Sequence, residues 1–431
     1  MKLWQKEHTS TSEKIEAFTV GRDKEFDMLL AQYDVEGSLA HTAMLCSIGL
    51  LREEELTEIH KALHAILVTI RQGDFKLDEE VEDIHSQIEL MLTKEIGEVG
   101  KKIHSGRSRN DQVLVDVKLY LRAEVKKLAK QVNALFNQLL ELSEQHKAKL
   151  LPGYTHFQLA MPSSFGLWFA AYAESLTDDM EFVQAAYNVC NKNPLGSGAG
   201  YGSSFPLNRG ITTELLQFES MNVNVVYAQM TRGKSERSVA VALAAVAATL
   251  SKLAYDVCLY MNQNFAFVSF PDDLTTGSSI MPHKKNPDVF ELIRAKCNRI
   301  QSVPNELVLL TNNLPSGYHR DMQLTKEILF PAMEELQACI DMTGFMLQHI
   351  IIKDHILEDE KYTHLFSVER VNELVLNGTP FRDAYKIVGE EIETGTFKAG
   401  MQVTHTHEGS IGNLCNEEIK KQMARFSDLL Y

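Results

Sequence analysis

The chain has 431 residues, with 43 lysines and arginines against 58 aspartates and glutamates, for a formal net charge of −15. This length exceeds what one hydrophobic core usually supports, so two or three structural units are expected. The negative balance excludes a general attraction to nucleic acids and to anionic membrane surfaces. Any anion that binds must therefore be held by a local cluster of cations.

Cysteine usage and hydropathy favour a cytoplasmic protein. The six cysteines are widely spaced and form no CxxC pair, which favours reduced thiols over disulfides or zinc ligands. The first 18 residues lack the apolar run of a signal peptide. The most apolar run, VAVALAAVAATL at 239–250, is twelve residues long, too short to span a membrane. A buried helix is the better interpretation of this run.

Apolar residues recur at helical spacing through most of the chain. In chain order, helices are predicted at 37–50, 53–72, 83–97, 110–150, 234–264, 325–353, 367–377 and 380–394. In the longest, Leu114 to Leu142 form a seam with alternating spacings of three and four, and such a rod, about 60 Å long, needs partner helices. The predicted fold class is all-α, with a long central helix bundle and smaller terminal helical domains, divided as 1–108, 109–356 and 357–431.

Five segments concentrate glycine and polar residues where the helical pattern is interrupted. They are HSGRSRNDQ at 104–112, LPGYTHFQ at 151–158, NPLGSGAGYGSS at 193–204, TTGSSIMPHKKNPDVFE at 275–291 and GYHRDMQLTKE at 317–327. Because loops on a rigid scaffold commonly carry chemistry, these segments are the candidates for a functional site.

The first segment places Arg107 and Arg109 before the amino end of the long helix, where free N–H groups favour an anion. An equally good interpretation is that Asn110 or Asp111 caps the helix beside solvated arginines. In the second segment, His156 has a side chain suited to proton transfer near neutral pH. From spacing alone, a histidine that packs at a helix junction is favoured.

The remaining segments also leave alternatives open. The glycine-rich run at 193–204 could present backbone N–H groups to a carboxylate, although such runs are more often flexible connections. Residues 275–285 are predicted to form a mobile loop before a helix that starts at Asn286. Two further histidines, His405 and His407, lack a nearby third ligand and so make a weak metal site.

The run GSSIMPHKKNP resembles the signature loop of the fumarase/aspartase superfamily, which is close to GSSxMPxKxNP. Within that superfamily, HSGRSRNDQV, LPGYTHFQ, PLGSGAG and YHRDMQLTKE resemble the argininosuccinate lyase family, with weaker similarity in KLW at 2–4, EDIH at 82–85 and GSIGNL at 409–414. The resemblance implies reversible elimination of fumarate from argininosuccinate to give arginine, the last step of arginine biosynthesis. It implies no cofactor and no metal.

The resemblance also implies roles for individual residues. Ser278 is the base, His156 acts with it as acid and base, and Glu291 supports the histidine. Proton removal beside a carboxylate builds negative charge that cations and N–H donors must stabilise, a role that suits Lys284 and Asn286. The other implied substrate-binding residues are Arg109, Asn110, Thr155, Tyr318, Gln323 and Lys326. The family is a homotetramer whose sites combine segments of three subunits.

At a few positions the sequence departs from the family pattern, and the roles of the residues there have alternatives. Asp23 stands where the family has a substrate-binding serine, and either Arg232 or Arg237 could fill an arginine position of the family. His283 matches the MPHKRNP loop of adenylosuccinate lyases, the main rival assignment. A silent, crystallin-like structural protein is the non-enzymatic alternative, and the intact Ser278 and Lys284 argue against it.

Overall fold

The computed structural model describes residues 13–78, 81–398, 400 and 403–430, so the KLW run at 2–4 lies outside the described residues. The α-helices of this part of the chain are α1 (Glu13–Val20), α2 (Asp23–Asp27), α3 (Ala31–Ser47), α4 (Glu53–Arg71), α5 (Ile84–Ile96), α6 (Arg109–Gln145), α7 (Phe165–Cys190), α8 (Arg209–Leu215), α9 (Val225–Met230), α10 (Lys234–Met261), α11 (Asp288–Ile300), α12 (Val303–Leu310), α13 (Leu324–Gln348), α14 (Ser367–Leu376), α15 (Phe381–Glu393), α16 (Asn416–Ala424) and α17 (Ser427–Leu430). The strands are short: β1 (Leu150–Thr155), β2 (Gln158–Ser164), β3 (Lys192–Asn193), β4 (Ser220–Met221), β5 (Val268–Ser269) and β6 (Ile351–Ile352). The predicted all-α class is confirmed.

The chain forms two compact units, each assembled from three separate stretches. The first unit contains the residues up to Leu128 together with Phe182–Ala244 and Ile300–Glu335, and the second contains Ala129–Glu181, Ala245–Arg299 and the residues from Leu336 onward. The long helices α6, α7, α10 and α13 each contribute residues to both units. The three-part division along the chain, at 108 and 356, stays a prediction.

The core of the first unit fixes the residues around the start of α6. Val115 and Leu119 of α6 pack with Ala40 of α3 and with Leu195, Leu216 and Phe218, all of them buried. Beside this cluster, the fully buried Lys118 donates from Nζ to Asn222 Oδ1 at 2.6 Å and to the Lys192 carbonyl at 3.1 Å. These bonds satisfy a charge that would otherwise be costly to bury.

The second unit joins its long helices in pairs. Gln131 of α6 donates to Asp341 of α13 at 2.8 Å. Trp168 and Tyr172 of α7 both donate to Asp256 Oδ2 of α10, at 3.0 and 2.5 Å. The prediction that the longest helix needs helical partners is therefore confirmed within this unit.

Helix α10 contains the apolar run at 239–250. By length and composition it is the one helix of the described residues that could cross a membrane, yet more than half of its most apolar window is buried inside the protein. Leu243, Val246 and Leu250 are almost completely buried. This burial agrees with the predicted core helix.

The longest helix ends earlier than predicted and is followed by a turn at 146–149 and then by a β-hairpin. Helix α6 ends at Gln145, and β1 pairs antiparallel with β2, with Thr155 opposite Gln158. The two residues between them, His156 and Phe157, both have positive φ, 53° and 59°, as a tight two-residue hairpin turn requires. The apolar seam could not reveal this change, because Leu150 continues the hydrophobic pattern into the first strand.

Candidate active site

A cavity of about 340 Å³ in the first unit contains half of the residues that the sequence nominated. Its lining includes six predicted substrate-binding residues: Asp23, Arg109, Asn110, Tyr318, Gln323 and Lys326. They come from α2, from the first turn of α6 and from the segment that leads into α13. The fold thus brings together residues that lie up to about 300 positions apart in the sequence.

Lys326 is the buried cation of this cavity. Its Nζ lies 2.7 Å from Asp23 Oδ1 and also contacts Asp27 Oδ1. Burial, and next the charge of Asp27, raise the pKa of Asp23 to about 6, while Lys326 opposes the rise. One lysine therefore serves two carboxylates, and Asp23 titrates closer to neutral pH than an ordinary aspartate.

Arg109 is held by side chains around the start of α5. Its Nε lies 3.2 Å from Asp83 Oδ2, and its two terminal nitrogens donate to Gln112 Oε1 at 2.8 Å and to Ser86 Oγ at 3.1 Å. Asp83 caps α5 by accepting from the Ser86 backbone N–H at 2.7 Å. Burial acts against ionisation of Asp83, but the charges of His85 and Arg109 and the bonds from Ser86 together lower its pKa.

The interpretation of the arginines as solvated is wrong for Arg107. This side chain donates from Nη1 to Ser38 Oγ at 3.0 Å, and burial lowers the pKa of its guanidinium. Arg109 remains partly exposed and lines the cavity. The two arginines of the HSGRSRNDQ segment therefore have different environments.

Gln323 binds the end of α1. Its Nε2 donates to the carbonyl oxygens of Thr19 and Val20, at 3.0 and 3.1 Å. Beside it, Arg320 lies 3.3 Å from Glu82 Oε1. Glu82 and Asp83, in the EDIH run that carried only weak similarity, thus line the same cavity.

The two candidate arginines after the glycine-rich run differ in position. Arg232 lines the cavity with Lys326, its Nε lies 3.0 Å from Glu236 Oε1, and its Nη2 donates to the Met322 carbonyl at 3.0 Å. Arg237 is exposed and lines a different cavity of about 260 Å³, which Arg232 also borders. Of the two, Arg232 alone reaches the cavity of the predicted substrate-binding residues.

The glycine-rich run is not a flexible connection. Residues 193–198 are buried, and the backbone N–H groups of Gly196 and Gly198 donate to Asp111 Oδ2 at 3.0 and 2.8 Å. The expectation of N–H groups that face a carboxylate is therefore correct in kind, but the carboxylate belongs to the chain itself. Burial raises the pKa of Asp111 to about 6 in spite of these bonds.

A buried cluster of Asp34, His85 and Asp116 lies beside the cavity, and the sequence did not predict it. Their ligand atoms lie within 4.8 Å of one another. His85 Nδ1 is 2.9 Å from Asp34 Oδ1, which also accepts from Gln112 Nε2 at 2.6 Å. Burial, and next the charge of Asp34, raise the pKa of Asp116. His85 Nδ1 also lies 3.5 Å from Asp116 Oδ2.

In the second unit, the signature loop is closed at its base and exposed along its length. Thr276 and Asn286 form a β-bridge, and Asn286 Nδ2 also donates to the Gly277 carbonyl at 3.3 Å. Within the loop, Ser278 Oγ accepts from the backbone N–H groups of Ile280 and Met281, at 3.3 and 3.2 Å. Lys284 is exposed. The helix after the loop begins at Asp288, close to the predicted start.

The predicted catalytic residues His156 and Glu291 and the predicted substrate-binding Thr155 are exposed. Thr155 and His156 lie at the tip of the hairpin, and Glu291 lies in the first turn of α11. Among the residues that the structure describes, no hydrogen bond or ion pair joins His156 to Ser278 or to Glu291. The support of His156 by Glu291 stays a prediction.

Comparison with known proteins identifies the family. A family model described as a lyase matches residues 7–302. An argininosuccinate lyase of Bacteroides thetaiotaomicron is 60% identical over 427 residues, which cover 99% of this chain and 96% of that protein. One of Bacteroides fragilis is 61% identical over 424 residues, with coverage of 98% and 95%.

The solved structures agree on the fold. A variant EDDS lyase with bound fumarate superposes with a TM-score of 0.77 at 20% identity, over 98% of this chain and 91% of that one. A class II fumarase of Schistosoma mansoni gives a TM-score of 0.72 at 15% identity, over 96% and 93%. Both the sequence resemblance and the predicted fold are thereby confirmed: the chain belongs to the argininosuccinate lyase family of the fumarase/aspartase superfamily.

Proposed function

We propose that this protein cleaves argininosuccinate reversibly into arginine and fumarate, the last step of arginine biosynthesis. The observation that carries the proposal is the cavity in which Asp23, Arg109, Asn110, Tyr318, Gln323 and Lys326 meet. The relatives at about 60% identity are argininosuccinate lyases, which favours argininosuccinate as the substrate.

The charges of the cavity suit a substrate that carries both signs. Its lining contains the acidic side chains of Asp23, Asp27, Glu82 and Asp83 and the basic side chains of Arg109, Arg232, Arg320 and Lys326. Argininosuccinate has a cationic amino-acid end and several carboxylates, so complementary charges can orient it.

We assign Ser278 as the base that removes a proton from the carbon next to the one that bears the departing nitrogen, so that the C=C bond of fumarate can form as the C–N bond breaks. A hydroxyl group is a weak base and needs local activation. The N–H groups of Ile280 and Met281, which donate to Ser278 Oγ, favour the negatively charged form of that oxygen. This local geometry supports the assignment that the family resemblance suggested.

The rest of the elimination follows from charge. Loss of the proton builds negative charge on the adjacent carboxylate, and Lys284 and Asn286 are assigned to stabilise it. The C–N bond then breaks, its electrons leave with the nitrogen, and His156 supplies the proton that this nitrogen takes up. Fumarate and arginine are the two products, and no cofactor is required.

We propose a cytoplasmic homotetramer whose active sites combine segments of different subunits. The family resemblance supports this, because the family combines segments of three subunits in one site, and His156 and Glu291 are exposed on this chain. The cysteines of the described part of the chain are all free thiols, as suits a reducing compartment.

Adenylosuccinate cleavage is the second candidate, because His283 gives the loop the MPHK form of that family. To decide, the purified protein is offered argininosuccinate, adenylosuccinate, malate and aspartate in separate assays, and fumarate is followed by ultraviolet absorbance. We expect fumarate from argininosuccinate. Fumarate from adenylosuccinate alone would contradict the choice of substrate, and none from any compound would favour the structural, crystallin-like alternative.

A further inference from the structure

One buried carboxylate connects two segments that lie 85 or more positions apart. Asp111 Oδ1 accepts from the Ser108 backbone N–H at 2.8 Å, just before α6. Its Oδ2 accepts from Gly196 at 3.0 Å and from Gly198 at 2.8 Å. Asp111 is completely buried, so these three bonds form away from water, where hydrogen bonds to a charged group are strongest.

The glycine-rich segment that donates two of these bonds has a backbone conformation that requires glycine at three positions. Gly196, Gly198 and Gly200 have positive φ angles of 85°, 60° and 107°. A Cβ atom on any of them would lie 2.8 to 2.9 Å from a neighbouring heavy atom, belonging to Arg209, Gly202 and Gln229 respectively. Only glycine fits these positions, so the segment offers its N–H groups to Asp111 in a fixed direction.

Gln229 holds the same segment from a second direction. Its Nε2 donates to Ser197 Oγ at 3.1 Å and to the Gly198 carbonyl at 3.2 Å. Gly198 is therefore bound through its N–H group by Asp111 and through its carbonyl group by Gln229. The segment is clamped, and removal of either side chain releases one side of the clamp.

The neighbours of Asp111 in the sequence face the cavity. Arg109 and Asn110 line it, whereas Asp111 does not. The three residues share the first turn of α6, so the bonds of Asp111 fix the backbone from which the other two extend. Because Gly196 and Gly198 donate to this internal carboxylate, they are not free to bind a carboxylate of the substrate.

We propose that Asp111 is a positioning residue, which locks the first turn of α6 to the glycine-rich segment and so sets Asn110 and Arg109 for substrate binding. The proposal rests on the proposed function for its kinetic readout only. It adds a residue without substrate contact to the set that determines affinity. A side chain with a purely structural role would change stability without a selective effect on KM.

The test compares Asp111→Asn with Asp179→Asn. Asp179 is a suitable control because it is also a buried aspartate with a pKa raised by burial to about 6, but it accepts from Thr249 Oγ1 in the second unit. The amide side chain of D111N would keep the shape of the carboxylate, yet its NH2 group cannot accept the bonds that one carboxylate oxygen now accepts. We expect KM for argininosuccinate to rise by about tenfold or more in D111N, with kcat changed by less than about threefold, and neither constant to change in D179N.

Hydrogen exchange supplies a readout that needs no substrate. At pH 8, amides in 193–204 are expected to exchange faster in D111N than in the wild type and to be unchanged in D179N. If D111N does not fold, Gln229→Ala is the second variant: it leaves Asp111 in place, releases the other side of the clamp, and should raise KM in the same selective way. Selective KM increases with faster exchange support the proposal.

A wild-type KM in D111N with normal protection of 193–204 would overturn the proposal. So would equal effects of D111N and D179N, or an unchanged KM in Q229A when D111N fails to fold. The failure of the proposed function is a separate result: wild-type protein that releases no fumarate from argininosuccinate contradicts that function, and the exchange comparison still decides whether Asp111 holds the segment.

Discussion

Lys326 Nζ lies 2.7 Å from Asp23 Oδ1. The same nitrogen contacts Asp27, one helical turn further along α2. Lys326 thus has two internal carboxylates, and the charge of the cavity depends on whether Asp23 is protonated.

Loss of the lysine should destabilise the protein most at alkaline pH. In Lys326→Met, the buried Asp27 and the partly exposed Asp23 remain side by side without their cation, so we expect the free energy of unfolding at pH 8 to fall by about 3 kcal/mol. The loss should be smaller at pH 5, because the unpaired carboxylates can take up protons. Thermal unfolding of wild type and K326M at both pH values measures this loss of stability.

The control for this prediction is Lys420→Met. Lys420 forms an exposed pair with Glu417 at 2.6 Å, of a kind that contributes little to stability. Its removal should change the melting temperature only slightly at either pH. Equal effects of the two substitutions would show that the pair with Asp23 has no special weight.

Asp23 itself should make stability fall as pH rises. Its folded pKa of about 6 lies above the ordinary value of 3.8, so between these values the folded state binds more protons than the unfolded state. Stability attributable to Asp23 is therefore present at low pH and is lost as pH rises through about 6. Relative to wild type, Asp23→Asn should be more stable at pH 8 than at pH 4.5.

Chemical unfolding of wild type and D23N across this pH range checks the sign of this change in stability. The substitution Asp74→Asn, at an exposed position, is the control. If the difference in free energy of unfolding between wild type and D23N stayed constant from pH 4.5 to pH 8, the raised pKa of Asp23 would be contradicted. The control variant should show that constant difference, because its carboxylate is in water in both states.

The sequence predicted most of the helical positions because their apolar periodicity is strong. The helix predicted at 53–72 is α4, and the one predicted at 380–394 is α15, each within one residue at either end. The end of α6 was placed five residues too late, at Leu150. Residues 146–149 form a turn and Leu150 begins β1. An apolar residue at 150 fits a helix and a strand equally well, so periodicity did not show where the helix ends.

The residues of the cavity were predicted where a sequence motif contains them. They were missed where only the packing of distant segments brings them together. Tyr318, Gln323 and Lys326 were found through one short run. Asp27 was not nominated, although it follows Asp23 by four positions, the spacing that places two side chains on one face of a helix. No pattern in the sequence around Asp111 predicts its contact with Gly198, because 86 residues lie between the two.

The assignment of Ser278 as base predicts a large and local kinetic effect. Ser278→Ala should retain the oligomer and the fold, since the side chain is on an exposed loop, and should lower kcat for argininosuccinate by about 100-fold or more. The adjacent Ser279→Ala, also on the exposed loop, is the matched control and should keep activity within a few-fold. Near-normal turnover in S278A would refute its role.

The neighbouring His283 and Lys284 should differ sharply in importance. Both side chains are exposed on the signature loop, but only the lysine carries a charge suited to the developing carboxylate. Lys284→Met should reduce kcat/KM for argininosuccinate by about 100-fold or more. His283→Gln should change kcat/KM by less than about threefold, because substitutions of exposed side chains usually have small effects.

The same pair of variants tests the choice of substrate. If His283 specified adenylosuccinate, wild-type protein would release fumarate from that compound and H283Q would lose this activity while K284M lost both. We expect instead no release from adenylosuccinate by any of the three proteins, followed by ultraviolet absorbance under identical conditions. A histidine that matches the rival loop would then have no part in the choice of substrate, since we propose that the discriminating contacts lie in the cavity around Lys326.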